Sequence, residues 1–522
     1  MPKTNSMVED LLLDTTQLLR SHVNTKIIIK YLIPMTFYHL LSAHFLEQLG
    51  KEAGFEDTNV WNIQRAYQNG EFKHVFVHSN YYLSPSTTSF GANGNYSEDE
   101  WLERFSKTLQ LVEEDSENMA DIFSDLDMNF TEFGVDLKTR SLNFNVLMTE
   151  ISRLELPDYS FNRIGAVFSE LLDRAATMVG KRQAGFYSTA AVSELLSLIA
   201  LDDQKTSNSL AIYDPTMGVG SLLLHARAKA GYGRDVTLYG TELSTEAYNI
   251  ARMNLILHGV EFNEETIANE NTLLRDWDKQ AVKKFDAVLM HPPYSTAWDA
   301  ESKLNIARFD LVDGIVPPKS KSDYAFILEG LDHLADTGTM VVSMPLGVLF
   351  RGGSEGRIRE HLLYDGHIEA VIGLPGNIML DTAIPTVILV LKKQRAERDV
   401  LFIDASEQFE KVRRQNIMTE ENIYSIYDAY KQREDIQDFA HLASWDEIEA
   451  NDFNLNIPRY VENFAAEEQL DIVAVAKELA ELDDEIVKTE SQIMELLRQF
   501  TSNDDDSHLG VESLVDSVKN HY

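Results

Sequence analysis

Apolar positions recur at intervals of three and four residues from Met7 to about Gly50, taking in Leu11, Leu12, Leu18, Leu19, Tyr31, Leu32, Phe37, Leu40, Leu41, Phe45 and Leu46. That period predicts helices with a buried stripe, and these residues are expected to form core. A polar stretch follows, YYLSPSTTSFGANGNYSEDEW, whose Pro, Gly, Ser and Asn mark loops. Amphipathic segments, LNFNVLMTEISRL and RIGAVFSELLDRAATMVG, then extend the helical region to about residue 170. Beyond it the pattern changes to apolar runs of six or seven residues: SLAIYD (209–214), VTLYGTE (236–242), FDAVLM (285–290), TMVVSM (339–344), EAVIGL (369–374) and TVILVL (386–391). They alternate with amphipathic stretches such as SLLLHARAKAG and TEAYNIARMNLILHG. Runs of this kind predict strands buried on both faces of a parallel sheet, wound with helices in the Rossmann manner, and such a sheet binds ligands at its strand C-termini. Near the end, Ile472, Val475, Leu479, Leu482, Ile486, Thr489, Ile493, Leu496 and Phe500 alternate spacings of three and four, a heptad seam. The expected organisation is a mainly helical domain over 1–170, a doubly wound α/β domain over 171–455 and a helical tail over 456–522.

Charge changes this picture more than size does. The 522 residues exceed what one core supports, and 46 Lys+Arg against 84 Asp+Glu leave a formal charge of −38. Such a field repels a phosphate backbone, so an unaided grip on nucleic acid is not expected. Eleven acidic residues between Glu98 and Asp127, against Arg104 and Lys107, are expected to form the solvated face of helices. The tail from Val461 holds sixteen acidic and four basic residues, so it is no nucleic-acid arm; it either folds back on its own domain or pairs with a partner chain. With no cysteine, disulfides, Cys-ligated zinc and thiol catalysis are excluded. No run approaches the ~18 uninterrupted apolar residues of a membrane helix, and the expected location is the cytoplasm, with no membrane partner.

Candidate chemistry gathers at three strand ends. In AIYDPTMGVGSLLLHA a strand ends at Asp214, and Gly218 and Gly220 allow a tight turn into a helix from Ser221, whose exposed N–H groups favour an anionic ligand group. The turn lacks the third glycine of the dinucleotide fingerprint and the lysine of a phosphate loop, which argues against NAD and against an NTPase. The next strand ends in Glu242, 28 residues on, where an acid accepts both hydrogen bonds of a ribose diol. Asp214, the glycines and Glu242 together describe a pocket for a nucleoside joined to an amino acid, the shape of S-adenosylmethionine. The third strand, FDAVLM, runs into His291-Pro292-Pro293-Tyr294. Two prolines fix the backbone there, leaving rigid carbonyls as acceptors. An exocyclic amine at this turn could donate to the residue-291 side chain and to the Pro292 carbonyl, with Tyr294 as a stacking face for an extruded base. His74 and His78 sit in an alternating, strand-like context, no zinc-ligand spacing occurs, and no metal is expected.

These residues carry a resemblance. D-P-x-x-G-x-G, an acidic strand end and x-P-P-Y look like the amino-methyltransferases of DNA, whose signature is N-P-P-[YF]. Flanking stretches, KRQAGFYSTAAVSELL, PPKSKSDYAFILEGLDHLADTGTMVVSMPLGVLFRGGSEGRIREHLL and EAVIGLPGNIMLDTAIPTVILVLKK, resemble the modification subunit of type I restriction-modification systems over roughly residues 140 to 395. The resemblance implies an S-adenosylmethionine-dependent adenine-N6 DNA methyltransferase. Phe186, Tyr187, Ser188 and Thr189 would lie against the cofactor, Asp214 and Gly218–Gly220 would cradle its methionine part, and Glu242 would hold the ribose. It also implies a separate specificity subunit that reads the DNA between two modification subunits, and a third subunit for translocation and cleavage. Nothing basic follows the last strand to serve as a target-recognition module, which agrees. Two positions depart from the family. Its asparagine before Pro-Pro-Tyr is His291, and its Gly-Asp in IANENTLL is Glu270-Asn271, where Asn271 would accept from the cofactor's adenine amine. A neutral histidine offers one acceptor and a protonated one offers only donors, so activity is expected to fall with pH through a histidine pKa of ~6.5. The alternatives are a cytosine-N4 methyltransferase and a catalytically silent scaffold.

Overall fold

The computed structural model describes residues 4–55, 59–72, 81–84, 87–88, 98–179, 189–204, 207–231, 233–274, 284–299, 307–380, 382–412, 415–461 and 472–499. Residues 1–462 form one compact unit and 463–522 another.

The first unit opens with helices α1 (Thr4–Leu19), α2 (Thr25–Glu52), α3 (Val60–Gln68), α4 (Glu98–Asp115), α5 (Leu137–Ser152) and α6 (Phe161–Val179). Asn24 starts α2 by accepting a hydrogen bond from the Lys26 amide at 2.9 Å, supplying one acceptor for the helix's unpaired N–H groups. Ten of the eleven apolar positions named above are buried. Leu18, in the last turn of α1, is the exception at 53% exposed. In α4 the helical period buries Trp101, Leu102, Phe105, Leu109 and Val112. The acidic run around it is not all solvated, however. Glu113 accepts from the Phe123 amide at 2.8 Å, Asp115 from the Thr87 hydroxyl at 2.9 Å and Asp125 from the Asn249 amide group at 2.9 Å. Irregular backbone with no ladder partners needs acceptors; Glu113 provides one for Phe123, and Asp115 another for the Ser84 amide at 3.2 Å.

The sheet has nine strands in the order β11-β8-β6-β7-β5-β4-β1-β2-β3. They are β1 (Ser209–Asp214), β2 (Asp235–Glu242), β3 (Ile267–Asn269), β4 (Phe285–Met290), β5 (Leu334–Pro345), β6 (Ile368–Gly373), β7 (Thr386–Lys392), β8 (Val400–Asp404) and β11 (Ala440–Ala443); β9 (Glu410–Val412) and β10 (Gln415–Ile417) make a separate hairpin. All six expected strands form. The expectation of a parallel sheet needs one correction, because β7 runs antiparallel to both β5 and β6. Among the described residues its connection from β6 holds no helix, and it closes as a hairpin, with Leu374 N–H donating to Thr386 O at 2.8 Å and Asn377 N–H to Ala383 O at 3.0 Å. β11 is likewise antiparallel to β8 at one edge.

Helices cover both faces. α7 (Ala190–Ala200), α8 (Ser221–Ala230) and α13 (Glu420–Gln432) pack on Ile212, Leu289, Val341 and Ile388, while α11 (Asp323–Asp332) and α12 (Gly353–Tyr364) pack on Tyr213, Val288, Val342 and Leu389. Two short helices, α10 (Ala307–Asp310) and α14 (Trp445–Ala450), complete the unit. Alternation along each strand thus feeds two cores. A third core lies among α1–α6 and takes in Ile250, Met253, Ile256 and Leu257 of α9 (Thr245–Leu257). Arg252 of the same helix donates to the Asn118 and Ala120 carbonyls at 3.0 and 2.8 Å. In the second unit α15 spans Ile472–Gln499, with Leu479, Leu482, Ile486, Ile493 and Leu496 between 41 and 66% exposed. Among the described residues no helix is long and apolar enough to cross a membrane.

Candidate functional site

Register brings the three strand ends together. β1 pairs with β2 on one side and β4 on the other, in parallel, so Asp214, Glu242 and His291 stand at the same edge of three neighbouring strands. Asp214 is 1% exposed. It accepts from the Thr216 amide at 2.9 Å, and burial raises its carboxyl pKa to about 7, with the Glu242 charge adding to the rise. Gly218 (φ 54°) and Gly220 (φ 79°) then take the left-handed backbone that a side chain would disfavour, and Gly220 leads straight into α8 at Ser221.

The turn is tied down at successive residues. Met217 N–H donates to Thr241 O at 3.1 Å, Gly218 N–H to Glu242 Oε2 at 3.0 Å, and Val219 O accepts from the Asn254 side chain at 3.0 Å. Glu242 also accepts at Oε1 from the Ser244 amide at 2.7 Å. Burial raises the Glu242 pKa and these backbone N–H groups oppose the rise. The acid therefore shapes the glycine turn as well as standing beside it. Asn269 donates to the Glu242 carbonyl at 2.8 Å, whereas Asn271 uses its side-chain oxygen on the Leu273 amide at 3.1 Å. Leu243 and Leu274 follow at 68% and 48% exposure, two apolar side chains left open beside the acid and Asn271.

At the end of β4, Pro292 is buried and Pro293 exposed. The His291 and Tyr294 rings face each other with centroids 5.1 Å apart and planes 36° apart, and Tyr294 Oη lies 2.7 Å from Ser343 Oγ of β5. The chain leaves through Ser295, whose amide donates to Asp323 Oδ1 at 2.7 Å. Ser343, Asp323, Leu243 and Asn269 escaped sequence reasoning. The exposed leucine after the acid was a usable signal; Ser343 and Asp323 are 48 and 28 residues from Ser295 and only folding unites them. Phe186, Tyr187 and Ser188 lie outside the described residues, as do His74 and His78. Thr189 sits at the start of α7, which packs against α8, and its buried hydroxyl has no hydrogen-bond partner among the described residues. A cleft of about 860 Å³ opens away from this edge, lined among others by Gly231, Arg234, Val236, His258, Phe262 and Thr266.

The family described as N-6 DNA Methylase matches residues 160–469. The chain belongs to that family. It is 32% identical over 399 residues to the type I restriction enzyme MpnII methylase subunit of Mycoplasma pneumoniae, covering 74% of this chain and 73% of that one. The MjaVII methylase subunit of Methanocaldococcus jannaschii is 32% identical over 365 residues, 67% of this chain and 61% of the relative. In three dimensions it is similar to the crystal structure of the type I restriction-modification system methyltransferase subunit from Streptococcus thermophilus, at 37% identity and a TM-score of 0.80, over 88% of this chain and 99% of the other. Membership of an N-6 DNA methylase family implies S-adenosylmethionine as methyl donor. The residues fit it: a glycine cradle, an acid at the neighbouring strand end, open apolar side chains and an unpartnered buried hydroxyl.

Proposed function

We propose that this chain is the methylation subunit of a type I restriction-modification complex, transferring a methyl group to adenine N6 in DNA. Bound S-adenosylmethionine would supply an electrophilic methyl group on a sulfonium. The Gly218–Gly220 turn and Asp214 would hold its methionine part, with Ser221 opening the helix behind, Glu242 its ribose and Leu243 one face of its adenine; Phe186, Tyr187, Ser188, Thr189 and Asn271 would complete the pocket. At the catalytic turn the His291 ring nitrogen and the Pro292 carbonyl accept from the exocyclic amine and leave its lone pair facing the methyl. The His291 and Tyr294 rings are already in contact, so the flipped base stacks on the opposite face of Tyr294.

The three regions divide this labour: 1–170 supports α9, whose Asn254 secures the glycine turn, 171–455 carries the chemistry, and 456–522 docks a specificity subunit that reads the DNA between two copies of this chain. A third subunit would translocate and cut. The assembly would work in the cytoplasm. What carries the reading is one observation, the meeting of glycine turn, acid and x-Pro-Pro-Tyr on adjacent strand ends in a member of this family. The test is to assemble the chain with its specificity subunit, supply methyl-labelled S-adenosylmethionine and analyse the nucleosides. N6-methyladenine is expected. N4-methylcytosine would move the activity to the other exocyclic amine, and cofactor binding without transfer that His291→Asn restores would make the native chain a scaffold.

A further inference from the structure

The catalytic turn needs help to keep its shape. Pro292 and Pro293 have fixed φ, but the next reversal falls at Ser295, a residue with a Cβ held at φ 51°. Left-handed backbone at a non-glycine persists only where its surroundings impose it. Here the imposing group is Asp323, at the first turn of α11 and 1% exposed. One of its oxygens takes the Ser295 amide at 2.7 Å, and the other lies 3.3 Å from the Ser295 hydroxyl. Arg351 pairs with the same carboxylate, reaches Glu355 at 2.9 Å and donates to Ser295 Oγ at 3.3 Å. Tyr294 lies just before this anchor and is tethered at its far end to Ser343. The aromatic face is thus held at its hydroxyl and at its backbone by residues from two other elements.

We infer that Asp323, paired with Arg351, is a positioning residue that locks Ser295 in its left-handed conformation and so fixes the face on which Tyr294 receives the extruded base. The inference rests on the methyltransferase reading for its consequence, while the lock itself is a property of the chain. Without the acceptor, the Ser295 amide is unsatisfied and the turn relaxes toward right-handed backbone, swinging the tyrosine. Glycine at 295 adopts the native φ unaided, which gives the test its decisive arm.

The full chain, assembled with its specificity subunit, is assayed on DNA with 2-aminopurine at the target adenine. Asp323→Ala should lower kcat by about tenfold to a hundredfold, as misplacement of a reacting group does. The KM for S-adenosylmethionine should stay within about twofold, and the 2-aminopurine fluorescence gain should shrink. Adding Ser295→Gly to Asp323→Ala should recover much of kcat, and amide exchange of the peptide holding Ser295 should rise in Asp323→Ala alone. Should Asp323→Ala fail to fold, Asp323→Asn keeps an acceptor but loses the charge pairing, and the same comparison with and without Ser295→Gly decides. A wild-type kcat in the Asp323 variant, a loss that Ser295→Gly does not relieve, or unchanged exchange at Ser295 would overturn the inference. If the native complex transfers no methyl group, the functional reading fails, and the exchange measurement still decides the lock.

Discussion

Replacing Glu242 by glutamine separates two jobs that one side chain performs. In the native chain two backbone amides converge on its carboxylate, Gly218 at 3.0 Å on one oxygen and Ser244 at 2.7 Å on the other. A glutamine has a single oxygen, so in either orientation one amide faces an NH2 group. Losing a hydrogen bond to a charged acceptor costs about 1.5–3 kcal/mol. Were all of it expressed in binding, S-adenosylmethionine would bind about tenfold to a hundredfold more weakly, at ~1.4 kcal/mol per decade. Calorimetry with S-adenosylmethionine and with S-adenosylhomocysteine, alongside thermal melting, reads how the cost divides. Equal losses for both ligands are expected, because the ribose and the glycine turn are common to them; a loss confined to the sulfonium would mean that Glu242 acts through long-range charge. Binding within about twofold of native, at an unchanged melting temperature, would refute the geometry from which the estimate comes.

Three further outcomes follow from the same structure. Gly220→Ala should destabilise by about 1–2 kcal/mol through backbone strain alone, since a Cβ there would meet Ala251 at an ordinary 3.6 Å; urea unfolding checks it. Asp214 has its folded pKa raised from 3.8 to about 7, so the folded state binds the extra proton, and this group's contribution to stability is fully present below about pH 4 and is lost as pH rises through about 7. Melting of Asp214→Asn against native should therefore shift in favour of the variant across that window, by up to about 4 kcal/mol, and level off above it. Arg308 lies against Glu329 with both side chains buried, so Arg308→Met should cost about 3–5 kcal/mol in denaturant titration, and Arg308→Met with Glu329→Leu should recover most of it.

Strand positions were legible because a strand buried on both faces has no polar positions to interrupt it. TVILVL is such a run after its first threonine, and FDAVLM is broken only by Asp286, which accepts from the Ala211 amide at 2.8 Å; β4 and β7 begin where these runs do. Direction was not legible from the runs themselves, which look alike read either way; it lay in the twelve residues between β6 and β7, with no helical stretch and with Pro375, Gly376 and Pro385. β3 and β11, at three and four residues, are too short to carry a period. At the candidate site, the residues named from local sequence, Asp214, the glycines, Glu242 and His291–Tyr294, come together at neighbouring strand ends. Those that hold them came from afar, as with Asn254 on the Val219 carbonyl and Ser343 on Tyr294. Asn271 shows a role that its position alone did not reveal, since a short polar side chain can also satisfy its own backbone, and here its oxygen accepts from the Leu273 amide.

The helix Thr245–Leu257 has a practical consequence for anyone trimming or recombining such subunits. Its Asn254 secures the glycine turn while its Ile250, Met253, Ile256 and Leu257 are walls of the N-terminal core. A fragment cut near residue 170 would lay those four side chains bare to water and bring aggregation in place of a minimal enzyme. An exchange of N-terminal regions between relatives would have to carry this helix's apolar face along with it, so the unit of inheritance here is a core, and the boundary that matters runs down the middle of a helix.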